Sequence, residues 1–93
     1  MDNVITINIP ENFAVNEVAN FRNQVNKFIE EGHNKFMFDF SYCTFIDSTG
    51  LGVLVTVYKK CREHNGNVKL VGLNEDVMKL FKLTRLDRVF EID

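Results

Sequence analysis

Hydrophobic and polar positions alternate in two different rhythms along this chain. Val4-Ile5-Thr6-Ile7-Asn8-Ile9 switches with period two and is rich in β-branched residues, which predicts a first strand that Pro10 ends. Between residues 15 and 31, Val18, Phe21, Val25, Phe28 and Ile29 recur at helical spacing, and Gly32 follows as a stop. The period returns to two in Lys35-Phe36-Met37-Phe38-Asp39-Phe40, a strand with three phenylalanines on one face. A short connection, Ser41-Tyr42-Cys43-Thr44-Phe45-Ile46, leads to Asp47-Ser48-Thr49-Gly50-Leu51-Gly52, and apolar residues from Leu51 to Cys61 again fall at helical spacing. Asn65-Gly66-Asn67 closes that helix before the strand Val68-Lys69-Leu70-Val71. Asn74 is a good cap for a third helix, with Glu75 and Asp76 in its first turn and Val77, Leu80 and Phe81 facing inward. Val89-Phe90-Glu91-Ile92 reads as a last short strand.

Strands that alternate with helices of this length predict an α/β fold: about four strands in a mixed sheet with three helices. At 93 residues the whole chain, 1–93, is one domain with a single core. No repeat, low-complexity tract or linker divides it.

The helix after residue 50 has an unusually wide apolar arc. Leu51, Leu54, Val55, Tyr58 and Cys61 form one stripe, and Val53 and Val57 widen it to roughly half the circumference. Either the helix is buried on two sides, or its N-terminal half offers an apolar edge to a partner. In the second case Val53 and Val57 lie in the contact face, on the same helix as Ser48. If Val57 belongs to the core, the wide arc reflects burial on two sides; if Val57→Lys folds and binds normally, a partner reaches Ser48 from elsewhere, across the loops around Phe13 and Tyr42.

Composition narrows the functional classes. The net charge is −2, which argues against direct nucleic-acid binding. Residues 1–50 hold three Lys/Arg against seven Asp/Glu, and residues 51–93 hold eight against six, an imbalance that solvated helix faces explain. No window carries the ~18 apolar residues of a membrane span and no signal peptide opens the chain. Cys43 and Cys61 are far apart and read as reduced thiols, so a cytoplasmic protein is expected.

Catalytic equipment is not evident. Ser48 lacks the G-x-S-x-G elbow, since Ile46 stands two residues before it, and His33 and His64 both read as surface residues. Asp39 reads as a strand terminus rather than as half of a carboxylate pair with Asp47. No Walker-type phosphate loop and no Cys/His metal spacing occurs, so neither cofactor nor metal is expected. A small hydrolase built on Ser48 is therefore disfavoured. Asp47-Ser48-Thr49-Gly50 nevertheless has one distinctive property. It starts a helix, where free N–H groups and the helix dipole favour negative charge such as a phosphate, but the same residues are also those of an ordinary N-cap.

The run from Phe36 to Leu54 resembles the signature of STAS domains, specifically the bacterial anti-sigma-factor antagonists: a hydrophobic strand ending in Asp, a short connector, then an Asp-Ser-Ser/Thr/Ala-Gly-Leu-Gly/Ala turn that opens the second helix. Residues 65–71 resemble the next strand of that family and residues 80–90 its third helix and the exit from it. The resemblance implies a non-enzymatic partner switch. The implied phosphoacceptor is Ser48, with Thr49 the second candidate, and Asp47, Thr49, Gly50 and Leu51 shape the docking surface. The implied partners are an anti-sigma factor with serine-kinase activity, which binds the unphosphorylated form, and a serine phosphatase that reverses the modification. A STAS interaction module steering a phosphatase, a signalling enzyme or a transporter is the alternative. Two features depart from the family pattern. Glu11-Asn12-Phe13-Ala14 stands where a Gly-x-Leu-Asp turn is usual, and the sequence ends at Asp93 where a further helix is usual, which leaves the end of the sheet exposed or room for a partner or a second copy.

Overall fold

The computed structural model describes residues 3–93. Its main sheet is formed by β1 (Ile5–Asn8), β3 (Lys35–Asp39), β5 (Asn67–Val71) and β6 (Glu91–Ile92), in the order β1-β3-β5-β6. A second, two-stranded sheet joins β2 (Asn12–Phe13) to β4 (Phe45–Ile46). Three α-helices connect them, α1 (Val15–Glu30), α2 (Ser48–Glu63) and α3 (Glu75–Leu83), with a 3-10 turn at Leu86–Arg88 before β6. The α/β class, the four strands of the main sheet and the three helices are as expected. The sheet is not mixed, however: every strand pair is parallel. Each strand returns through a helical crossover to pair with its predecessor, and such a connection produces parallel neighbours.

The strand order advances in one direction, so right-handed crossovers place all helices on the same face. Side-chain burial follows. Ile7, Phe36, Phe38, Val68 and Leu70 are buried beneath the helices, whereas Thr6 and Asn8 on the opposite face are exposed and Met37 and Lys69 half-exposed. The registers Thr6↔Met37 and Met37↔Lys69 align these outward residues across neighbouring strands. Edge-to-face ring pairs tie the layers together, Phe13 to Phe21 and Phe21 to Phe38, each with centroids 5.0 Å apart. On the other flank Phe40 packs against Phe81 at 6.0 Å.

The wide apolar arc of α2 is explained by burial on two sides. The helix lies on the sheet over β5 and also packs along α1, so Leu51, Val53, Leu54, Val57 and Cys61 are all buried. Val53 is 4% and Val57 2% exposed. They are core residues, and the expectation that they form a partner-facing edge is corrected: the second half of the arc is covered by α1 of the same chain. Leu51, 8% exposed, belongs to the same core.

Two outcomes test this packing. Leu54→Ala, at a fully buried site, should cost about 2–5 kcal/mol in chemical denaturation. Val57→Lys should abolish cooperative unfolding, because the ammonium would be confined between α1 and the sheet without a counter-ion; a normally folded Val57→Lys protein in circular dichroism would contradict the burial of this face.

Candidate functional site

In a parallel βαβ arrangement every helix begins near the C-terminal ends of the strands, so the starts of α1, α2 and α3 gather at one end of the molecule. The connections there are fastened to one another. Thr44 N donates to Glu11 O at 2.8 Å, Phe40 N to Val71 O at 2.8 Å, and the Asn74 amide to Cys43 O at 3.1 Å. Asn74 also caps α3, its Oδ1 accepting from Val77 N at 2.8 Å. At the end of β3, Asp39 Oδ1 accepts from Ser41 N at 2.9 Å and Ser41 Oγ at 2.6 Å, so Asp39 holds a turn, as expected for a strand terminus. The short hydroxyl bond from Ser41 is the main reason its carboxyl lies below the ordinary carboxylate range.

Asp47 is the N-cap of α2. Its Oδ1 accepts from Thr49 N at 2.9 Å, Gly50 N at 3.1 Å and Thr49 Oγ1 at 2.5 Å. The Thr49 hydroxyl bond, followed by the Gly50 amide, draws its carboxyl below the ordinary range. Gly50 has no room for a side chain: a Cβ there would stand 2.6 Å from Phe13 O and 2.9 Å from Ile46 Cγ1. The first turn of α2 is thus pressed against both strands of the small sheet, which neither local periodicity nor composition announces.

Ser48 is the first residue of α2, not its cap, and is exposed. Its hydroxyl forms no hydrogen bond among the described residues, whereas that of Thr49 is committed to Asp47. One turn on, Gly52 is exposed with nothing within 4 Å of where a Cβ would lie, and Thr56 is exposed a turn further, its hydroxyl donating to Gly52 O at 3.0 Å. Ser48, Gly52 and Thr56 therefore form the solvent-facing stripe of α2. Around the same end Tyr42 and Phe45 are 68% and 53% exposed, and Val15 at the start of α1 is 63% exposed. Phe13, by contrast, is fully buried.

The seven residues singled out from sequence separate into distinct environments. Ser48 and Thr49 are exposed and Asp47 half-buried, while Gly50 and Leu51 are buried beneath them and Val53 and Val57 lie in the core. Gly52 and Phe45 are not among the residues singled out for the site. A glycine inside an amphipathic pattern was the available sign for Gly52; a two-residue strand gives none for Phe45. His64 lies at the C-terminal end of α2, about 24 Å along a helix of this length from Ser48, and its Nδ1 contacts Lys60 O at 2.9 Å. His33 follows the end of α1 and packs edge-on against Phe28. Both histidines sit at the end of the molecule opposite the serine.

The sequence matches the STAS domain over residues 1–93, and the chain belongs to that family. A candidate anti-sigma factor antagonist of Thermotoga maritima is 38% identical over 66 residues, which make up 71% of this chain and 58% of that relative, so the match spans under two thirds of the relative's length. The anti-sigma-B factor antagonist of Bacillus subtilis is 30% identical over 95 residues, covering 98% of this chain and 83% of that protein. The crystal structure of a candidate anti-sigma factor antagonist from Thermotoga maritima superposes with a TM-score of 0.90 at 32% identity, covering 99% of this chain and 80% of that one. No helix among the described residues is long and apolar enough to cross a membrane.

The depressed carboxyls of Asp47 and Asp39 set a pH dependence. A group with a lower pKa folded than unfolded contributes stability that is complete above the ordinary carboxylate value and is lost as pH falls through the folded one. Stability should therefore be level above about pH 4–5 and decline below it. Asp47→Asn should flatten that acid limb in thermal melts recorded between neutral and acidic pH. An acid limb unchanged in both Asp47→Asn and Asp39→Asn would show that neither turn carries it.

Proposed function

We propose that this protein is an anti-sigma-factor antagonist whose binding is switched at Ser48. In this reading the unphosphorylated form binds an anti-sigma factor that is also a serine kinase. Transfer of the γ-phosphoryl group of ATP to Ser48 Oγ, with loss of the hydroxyl proton, releases it, and a serine phosphatase restores the free form. The action would take place in the cytoplasm, where sigma factors operate. The observation that carries the reading is the contrast between neighbouring hydroxyls: Ser48 is exposed and its Oγ has no hydrogen-bond partner among the described residues, while Thr49 Oγ1 is tied to Asp47 at 2.5 Å. Similarity to the anti-sigma-B factor antagonist of Bacillus subtilis over nearly the whole chain supports it.

The local electrostatics are compatible with a reversible anion. The first turns of α1 and α3 each carry carboxylates, Glu17 in one and Glu75 with Asp76 in the other, but that of α2 carries none. A phosphate on Ser48 would occupy the position beside the helix dipole that those side chains take elsewhere, and so would not unfold the domain. It would, however, place a charge of about −1.5 to −2 on the stripe of Ser48, Gly52 and Thr56, where a partner would otherwise lie close to bare backbone. The surface assigned to the partner is this stripe with Thr49, Tyr42 and Phe45, and with Asp47, Gly50 and Leu51 as its foundation.

Incubation with the cognate kinase and ATP should place phosphate on Ser48, as read by peptide mass spectrometry, and Ser48→Ala should abolish labelling. Labelling of Thr49 or of another residue in the wild-type protein would sink the proposal. Ser48→Ala should retain kinase binding and Ser48→Asp should weaken it, both within about 0.5 kcal/mol of wild-type stability, as for a surface residue without a capping role.

Gly52 offers a separate test. Nothing among the described residues requires a glycine there, so Gly52→Ala should stabilise the fold by about 0.5–1 kcal/mol. If the stripe is the docking face, the same substitution should weaken kinase binding, measurable by calorimetry. Gain of stability with unchanged affinity would move the contact away from α2.

A further inference from the structure

The main sheet has two edges, and they are unequally protected. At one, β6 is only two residues long and is surrounded by charge: Lys69 Nζ lies 3.9 Å from Glu91 and 3.3 Å from Asp93. Short length and charge are the usual protection of an edge against pairing. At the other edge β1 lacks both. From Asn3 to Ile9 the chain carries no charged residue and no proline, and its core reads Val-Ile-Thr-Ile-Asn-Ile. Among the described residues nothing pairs with the outer side of β1.

The direction of its backbone groups can be assigned. Ile9 N donates to Asp39 O at 2.8 Å, across the β1–β3 ladder. Backbone direction alternates along a strand, so Ile5 and Ile7 share that orientation, while the N–H and C=O of Val4, Thr6 and Asn8 point away from β3 into solvent. The side chains of these three are exposed on the helix-free face, with Val4 51% exposed. Pro10, next in the outward series, has no N–H and bounds the free segment. The adjoining flank of α1 forms a shallow cleft with Asn8 and Pro10, lined by Asn20, Phe21, Gln24 and Glu17. Its one charged group, Glu17, is engaged with Ala14 N at 3.2 Å.

We infer that the outer edge of β1 pairs antiparallel with β1 of a second copy of this chain, about a two-fold axis at Thr6. The segment is self-complementary in that register. Val4 faces Asn8 of the second copy, Thr6 faces Thr6, and Asn8 faces Val4, and in each pair the two residues exchange both outward backbone bonds. On the helix side Ile5 faces Ile7 of the second copy, so the half-buried Ile5 gains apolar cover. On the other face a Thr–Thr pair marks the axis, a favourable cross-strand combination. No charges of like sign meet along the strand. The two four-stranded sheets become one continuous sheet with both helix layers on the same side. Because the strands run in opposite directions, the two Ser48 residues lie at opposite ends of the assembly and both remain accessible. This pairing does not depend on the function proposed for Ser48.

The test uses the full chain. Sedimentation equilibrium from micromolar to near-millimolar protein should show the average mass rising from monomer to dimer. Amide exchange followed by NMR should show the N–H groups of Thr6 and Asn8 gaining protection in step, while those of Ile5 and Ile7 change little. Thr6→Lys places two ammonium groups across the axis at residues whose Cα atoms are about 5.5 Å apart, and should weaken the dimer by roughly tenfold or more. Thr6→Pro removes an N–H that the β1–β3 ladder does not use, which an edge strand tolerates, and should yield a folded monomer. Should Thr6→Pro fail to fold, Thr6→Lys and the wild-type exchange data decide. A monomeric mass at every concentration overturns the inference, as does a dimer that survives Thr6→Lys unweakened. Protection of Thr6 and Asn8 that is independent of concentration also overturns it, since a segment of the same molecule would then cover the edge.

Discussion

Helix α2 is confined from two directions, by the sheet below and by α1 alongside, and most of the remaining structure follows from this. Confinement requires apolar residues around more than a single stripe, which accounts for Val53 and Val57 in addition to Leu51, Leu54 and Cys61. It fixes the rotation of the helix, because turning it would carry Thr56 or Lys59 toward the core. It also fixes the axial position, through the contact of Gly50 with Phe13 and Ile46. The one face left to solvent begins with Ser48. The exposure of that serine is therefore a consequence of packing on the far side of its helix.

Capping and display are divided between adjacent residues. Asp47 satisfies the amides of Thr49 and Gly50 and binds the Thr49 hydroxyl, so the helix start is complete without Ser48. In a turn where the serine itself served as cap, modification would remove a structural bond. Here the oxygen that the proposed switch would modify and the oxygens that secure the helix belong to different side chains, so chemistry at the first need not disturb the second.

The legible parts of the sequence were those with a repeating period. The strands around Ile7, Phe38 and Leu70 and the inner faces of α1 and α3 were evident from spacing, because burial on one side imposes that spacing directly. Strand direction was not, since a strand of given alternation serves equally well parallel or antiparallel; only the succession of helical crossovers makes this sheet parallel throughout. Asn12–Phe13 and Phe45–Ile46 are too short to show any period, and the small sheet they form was missed together with the exposure of Phe45. The wheel of α2 displayed a wide apolar arc but could not show that α1 covers its second half, because that information lies in another segment. At the site, the Asp-Ser-Thr-Gly turn was recognisable as a helix start, whereas the unequal fates of the two hydroxyls depended on geometry.

The absence, among the described residues, of any bond to the Ser48 hydroxyl also bears on how such a protein can change through descent. A position that neither packs nor caps imposes no folding requirement on its occupant. Under the function proposed for Ser48, alanine there would leave a molecule permanently in the unmodified form, and an acidic residue one fixed nearer the modified form, each without repair elsewhere in the chain. Gly50, two residues away, has no such latitude, since any side chain meets Phe13 and Ile46. Within a single turn of helix the fold thus constrains one residue tightly and its neighbour hardly at all, so that a switch of the kind proposed for Ser48 could be gained, lost or made constitutive without a change of architecture.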